Sequence, residues 1–378
     1  MPSSSSSILV TGANGYLGLH IVDQLLKQGN NVCAAVRSQK AAETIRQNFI
    51  EQIDAHQLRI GFIDDLTRPE CFSNVLTDTI IALVHVASPC PMGKDIKDNE
   101  RDMLSPAIAG TTAVLEAAES YTCARFQRVV QISSFSAMID TSQGSRPGYV
   151  YTEANWNPVT YEEAVAEKDS VALYLASKAL AEKAVWKWVD EHKPRFDVVS
   201  LCPSMLFGPQ IDRIEAMATL HSTASLLWQL VDSQSLPPLD FAGAIDVRDA
   251  AIMAVAAVKK PEASNKRFLL AQHFDWQSAA DAARNGLSQD VASRIPIGRP
   301  GSGKNKALSS LYTVDGSHAS DILGVSYRAL DETVIDTLKQ FLDVEAREEL
   351  LVLVSEIFIS ESLEMIQGRP PAHKIRRK

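Results

Sequence analysis

The chain has 378 residues, 46% hydrophobic and 22% charged, a mix that excludes global disorder, collagen-like repeats and a disulfide-stapled miniprotein and leaves room for one large α/β unit or two modest domains. Its formal net charge of −9 argues against a general electrostatic grip on nucleic acid. Five cysteines (Cys33, Cys71, Cys90, Cys123 and Cys202) without a CxxC pair, no apolar run of membrane-spanning length, and a Met-Pro-polyserine start unlike a signal peptide predict a cytoplasmic protein without a membrane span.

Ser7–Thr11 reads as a buried strand, followed by a glycine-rich turn. Leu17–Lys27 reads as a helix with Leu17, Ile21, Val22, Leu25 and Leu26 on one face. Asn31–Val36 is a second strand, Ala41–Gln52 a second helix, Leu58–Ile63 a third strand and Ile80–Val86 a fourth. A helix over Ala107–Ser120 leads to a fifth strand, Arg128–Ser133; a helix over Ser170–Glu191 leads to a sixth, Asp197–Cys202. Alternating strands and helices predict an α/β, Rossmann-type doubly wound parallel sheet with helices on both faces. Uninterrupted apolar runs suit strands covered on both sides.

Beyond residue 203 the pattern loosens. Leu220–Asp232, Asp246–Lys259 and Asp331–Asp343 read as helices. The expected division is 7–202 for the dinucleotide-binding part, with segments such as 240–260 joining it, 203–344 for a smaller interwoven substrate-binding lobe, and 345–378 for an extension. Within that extension Glu348–Ile366 is apolar with scattered glutamates and His373–Lys378 is basic. It is expected to be a terminal helix docked on the body, with a dimer contact or a membrane-surface helix as alternatives.

The turn Gly12-Ala-Asn14-Gly15-Tyr16-Leu17-Gly18 lies between a strand and a helix, the context a dinucleotide fingerprint requires. Gly12 permits the tight turn, Gly15 the approach of backbone N–H groups to a pyrophosphate, and Gly18 close helix packing. The second strand ends in Val36-Arg37-Ser38, without the carboxylate that usually holds an NAD ribose. Arg37, assisted by Lys40, can pair with a 2′-phosphate instead, which favours NADP(H) over NAD. After the third strand, Asp65 and Leu66 stand where an acceptor could meet the adenine amino group. Alternatively Asp64 plays that part and Asp65 caps the following helix.

Tyr174 and Lys178 are four residues apart within a predicted helix and so share a face. A free phenol titrates near ~10, and a neighbouring ammonium favours its ionised form. Ser133-Ser134 ends the fifth strand, where open sheets hold ligands and where a hydroxyl can polarise a carbonyl. Pro203-Ser-Met205-Leu-Phe207-Gly-Pro209 follows the sixth strand as a loop able to wall a nicotinamide.

Val10–Gly18, His85–Pro89, Gln131–Ser134, Trp156–Pro158, Thr160–Glu163, Tyr174–Lys178, Leu206–Gln210 and Asp246–Ala251 together resemble the extended short-chain dehydrogenases/reductases. The similar branch contains plant dihydroflavonol 4-reductases and fungal carbonyl reductases. The resemblance runs from about Ile8 to Asp343. It implies an NADP-dependent oxidoreductase that reduces a ketone or aldehyde, such as an aldehyde reductase or a ketoreductase. By it, Tyr174 protonates the forming alkoxide, Lys178 assists the phenol and binds the nicotinamide ribose, and Ser134, aligned with the second of the family's paired serines, polarises the carbonyl. Val86, Ala87 and Ser88 would run along the cofactor and Pro203 would touch the nicotinamide.

Phe135, Tyr149, Trp156, Met205 and Phe207 are candidate substrate-wall residues. Gly298–Lys304 imitates a phosphate-binding loop, but Asn305 stands where a magnesium-binding hydroxyl is needed, so it reads as a mobile basic loop. The scattered histidines predict no metal site, and Cys90 reads as a bystander. A small carbonyl compound is the expected partner, and the chain a monomer or homodimer. Other readings are an NAD-dependent sugar-nucleotide epimerase/dehydratase, a hydroxysteroid dehydrogenase-like enzyme, and a non-catalytic NADP-sensing regulator. Keeping Ser134, Tyr174 and Lys178 together disfavours the last.

Overall fold

The computed structural model describes residues 6–88, 96–221 and 223–366, with side chains as far as Val354; Cys90 and the basic end lie outside the described residues. In chain order the elements are β1 (Ser7–Thr11), α1 (Tyr16–Lys27), β2 (Asn31–Val36), α2 (Gln39–Asp54), β3 (Leu58–Phe62), β4 (Ile80–His85), α3 (Ser105–Tyr121), β5 (Arg128–Ile132), β6 (Val150–Tyr151), α4 (Tyr161–Ala166) and α5 (Ser170–His192). Then follow β7 (Asp197–Pro203), β8 (Met205–Phe207), β9 (Gly243–Asp246), α6 (Val247–Lys259), β10 (Arg267–Leu270), β11 (Gln272–His273), α7 (Trp276–Gly286), α8 (Gln289–Ser293), α9 (Gly303–Ser310), β12 (Thr313–Val314), α10 (Ser317–Leu323) and α11 (Leu330–Ile366).

Seven strands form one sheet in the order β10-β7-β5-β4-β1-β2-β3, every pair parallel. Because adjacent strand residues point to opposite faces, Ile8 and Val10 enter the core beneath α1, α2 and α6, while Leu9 enters the one beneath α3 and α5. Both faces are apolar, which is why these strands read as runs. The strand order reverses between β1 and β4, and the crevice at their carboxyl ends is where such a sheet takes a ligand. This is a Rossmann-type α/β fold. A second sheet, β11-β9-β8, is built from strands that follow β7 in the chain, and a separate parallel pair joins β12 to the earlier β6.

Four readings change. The short segment Arg267–Leu270 gave no strand signal, yet as β10 it pairs with β7 and extends the main sheet from late in the chain. Leu220–Asp232 is only a 3-10 turn over Ala224–Leu230, with no side chain capping its start. The loop at Gly298 is tethered, because Gln277 and Asp281 accept hydrogen bonds from the N–H groups of Arg299 (2.6 Å) and Gly301 (2.8 Å). Finally, the last predicted helix and the tail as far as Ile366 form one helix of 37 residues. Val334, Leu338, Phe341 and Val344 bury its first part. Arg294 holds Glu345, Arg347 donates to the Ile214 carbonyl, and Glu348 accepts from Met217 N–H. Past that point Leu350, Leu351 and Leu353 are exposed, so over these residues the expected docking on the body does not occur.

Candidate active site

The crevice starts at the glycine turn. Gly12 has φ +63°, and a Cβ there would lie 2.8 Å from the backbone nitrogen of Ala87. A Cβ on Gly18 would lie 2.1 Å from the Gly12 carbonyl oxygen. Both positions therefore need glycine, and the turn after β1 rests directly on the segment after β4. Gly15 is exposed and opens α1 with no side-chain cap, leaving the positive end of the helix toward the crevice. Asn14 is half-buried beside it. Tyr16 and Leu17 are buried, so they offer the crevice backbone rather than side chain. The Tyr16 hydroxyl donates to the Gly208 carbonyl at 2.6 Å and its ring stacks on His221. His20 Nε2 lies 2.9 Å from the Pro209 carbonyl. The loop after β8 is thus fastened to α1.

Arg37 is exposed immediately after β2, and Lys40 is exposed in the first turn of α2. Ser38 caps that helix by accepting from Ala41 N–H. The strand end Val36-Arg37-Ser38 itself carries no carboxylate. Asp65 accepts from the hydroxyl (2.7 Å) and the N–H (2.9 Å) of Thr67, and these bonds hold its carboxyl below the ordinary range. It braces its own turn, and the 3-10 turn over Pro69–Phe72 that follows opens at Arg68 with no side-chain cap, so Asp65 does not cap it. Asp64 is exposed and Leu66 half-buried beside it.

Asp169 caps α5 by accepting from Ala172 N–H at 2.7 Å. One turn apart on that helix, Tyr174 and Lys178 are both half-buried, and Lys178 Nζ lies 5.6 Å from the Tyr174 ring centroid. The same ammonium donates to Ser88 Oγ at 2.7 Å. Below it, His85 is buried with Nδ1 2.9 Å from Thr11 Oγ1. Burial, with the Lys178 charge, pushes the His85 imidazole down to about 4. Val86 and Ala87 are half-buried along the crevice and Pro203 is buried at the end of β7.

The paired serines separate sharply. Ser133 is buried, and its hydroxyl donates to Glu182 Oε2 at 2.7 Å. Ser134 is half-buried, donates to Ser136 Oγ at 2.9 Å and accepts from Ser136 N–H. The turn that follows it, Phe135–Ala137, packs on α5. Asn157, whose role the sequence did not disclose, donates to the Ser136 carbonyl while its N–H donates to that of Ala137. Its signal was the Trp-Asn-Pro segment that carries the resemblance. The neighbouring Thr160–Glu163 segment is a capping box for α4.

The expected substrate wall is partly corrected. Phe207 is fully buried against Phe241 and Phe274 and has no surface for a ligand. Phe135 packs between Tyr151 and Tyr312, leaving only an edge exposed. Trp156 lies on the Arg267 guanidinium, 3.4 Å from carbon to ring centroid. Tyr149 lies under Arg146 and its hydroxyl accepts from Asn155. Met205 remains half-buried on β8.

The profile of the NAD dependent epimerase/dehydratase family matches residues 8–271. The chain belongs to that family. Within it, the NADPH-dependent methylglyoxal reductase of Saccharomyces cerevisiae is 32% identical over 90% of this chain and 99% of its own length. A ketoreductase of Aspergillus niger is 27% identical over 91% of this chain and 99% of its own. The solved yeast methylglyoxal/isovaleraldehyde reductase in complex with NADPH superposes with a TM-score of 0.81 at 32% identity, covering 90% of this chain and 99% of that one. The glycine cradle that a Cβ would fill, the uncapped start of α1 and the exposed Arg37 are features of this epimerase/dehydratase chain that fit a dinucleotide phosphate. Among the described residues no helix is long and apolar enough to cross a membrane.

Proposed function

We propose that this chain is an NADPH-dependent carbonyl reductase that converts a ketone or aldehyde to an alcohol. The observation that carries the reading is Lys178 Nζ reaching both the Tyr174 ring and Ser88 Oγ at the carboxyl edge of the sheet, beside the glycine cradle. Gly12, Asn14, Gly15 and the backbone of Tyr16–Gly18 would hold the pyrophosphate. Arg37 and Lys40 would hold the 2′-phosphate, and Val86, Ala87, Ser88 and Pro203 the nicotinamide half.

Bound NADPH would supply the hydride to the carbonyl carbon. Tyr174 gives its phenolic proton to the carbonyl oxygen as negative charge develops there, and the Lys178 ammonium stabilises the phenolate left behind. Ser134 Oγ donates a hydrogen bond to the same oxygen. Residues 7–202 with α6 and β10 serve the cofactor, and 203–344 the substrate side. The partner is a small carbonyl compound, not nucleic acid, met in the cytoplasm by a monomer or homodimer. A sugar-nucleotide epimerase of the same family would use NAD, which Arg37 in place of a strand-end carboxylate disfavours.

The test is NADPH oxidation across a panel of aldehydes and ketones, run beside Tyr174→Phe. That variant is expected to keep NADPH binding and to lose more than ~100-fold in turnover. Unchanged turnover overturns the proposal.

A further inference from the structure

Glu182 lies on α5 one turn beyond Lys178 and two beyond Tyr174, and its side chain meets no solvent. Six donors surround its carboxylate. Ser133 Oγ (2.7 Å), Arg267 Nη2 (3.2 Å) and Cys202 Sγ (3.4 Å) reach Oε2. Ser200 Oγ (2.7 Å), Arg267 Nε (2.8 Å) and Trp186 Nε1 (3.2 Å) reach Oε1. These groups stand on α5, at the end of β5, on β7 and on β10. The third nitrogen of Arg267 donates to the carbonyls of Glu153 (2.7 Å) and Asn155 (2.9 Å), and the Trp156 ring covers the guanidinium.

A sealed ion pair of this kind is seldom the most stabilising use of a buried site, because desolvation offsets most of the attraction. What it does supply is geometry. Ser133 precedes Ser134, and side chains alternate along an extended chain. Fixing the Ser133 hydroxyl on Glu182 therefore turns Ser134 the other way, toward the crevice. The helix that carries Glu182 also carries Tyr174 and Lys178. One carboxylate thus joins the two halves of the proton-donating apparatus.

We propose that Glu182 is a positioning residue that, through Ser133, sets where Ser134 stands relative to Tyr174 and Lys178, an inference that rests on the carbonyl-reductase reading. Its action is on the placement of hydrogen-bonding groups, not on the cofactor.

The test compares Ser133→Ala, Glu182→Gln and the double variant Glu182→Met/Arg267→Met for Tm, NADPH affinity by fluorescence, kcat and KM. The double variant removes both charges together, so it folds even where Glu182→Gln, which leaves Arg267 buried and unpaired, does not. It is expected to bind NADPH within about threefold of the unsubstituted chain and to lose roughly 10- to 100-fold in kcat with KM little changed, as misplacement by ~1 Å does. Ser133→Ala, which keeps the ion pair, is expected to lower kcat by roughly three- to tenfold and Tm by only a few degrees, the loss of one buried bond to a charged group. A double variant that regains Tm together with full kcat, or a Ser133→Ala that turns over normally, overturns the proposal. If the unsubstituted chain reduces no carbonyl, the reductase reading fails by itself. Crystal structures of the variants then decide. A shift of Ser134 Oγ from Tyr174 by about 1 Å supports positioning, and an unmoved Ser134 overturns it.

Discussion

Lys178 Nζ donates to Ser88 Oγ across 2.7 Å, joining α5 to the chain beyond β4 over a sequence separation of 90 residues. The bond holds a cation at the carboxyl edge of the sheet, where the strand order reverses. A hydrogen bond to a charged group contributes about 1.5 kcal/mol or more. Ser88→Ala is therefore expected to lower kcat/KM roughly tenfold, with Tm lowered by no more than a few degrees. Unaltered kinetics would show that Lys178 is held in place without it.

The two serines at the end of β5 face opposite ways, one onto Glu182 and one toward Ser136. Ser134→Ala removes the donor proposed for the developing oxyanion, so a loss of about 100-fold or more in kcat is expected. Ser133→Ala acts only through position and costs less. Steady-state kinetics that ranked them in the reverse order would move the electrophilic role to Ser133.

Arg37 stands exposed at the end of β2, and the strand end Val36-Arg37-Ser38 itself carries no carboxylate. Arg37→Asp replaces a partner for the 2′-phosphate by a like charge. The ratio of kcat/KM for NADPH over NADH is expected to fall by roughly two orders of magnitude. A ratio that did not move would place the phosphate elsewhere.

His85 is buried, with an imidazole held at about 4 by burial and the Lys178 charge. In the unfolded chain it titrates near ~6.5. Between these values the unfolded state binds the extra proton, so stability falls as pH drops from about 6.5 toward 4 and the effect levels off below that. The contribution is of the order of 3 kcal/mol. His85→Gln is expected to flatten the decline of Tm over that window relative to the unsubstituted chain. Parallel curves would reject the assignment.

The exposed leucines at 350, 351 and 353 follow the anchoring contacts of α11 at Glu345, Arg347 and Glu348. A chain ended after Glu349 keeps all of those contacts. It is expected to retain Tm and turnover and to associate less, because an apolar patch has been removed. A fall of Tm by several degrees, roughly 1 kcal/mol or more, would show that the tail packs on the body.

Sequence alone determined the alternating architecture and most of the chemistry. Strands Ser7–Thr11 and Asn31–Val36 have the bounds their apolar runs suggest, and the Tyr174–Lys178 spacing places both on one helical turn. These features are local, and periodicities of two and 3.6 residues record them directly. Tertiary structure alone decided that Ser133 is spent on Glu182, that Phe207 is core, that Trp156 covers Arg267 and that β10 returns to the first sheet. It alone brought Glu182 to Arg267, 85 residues on, and to Ser133, 49 residues back. Such contacts depend on how distant segments pack, and a pairing across that much chain leaves no local pattern to read.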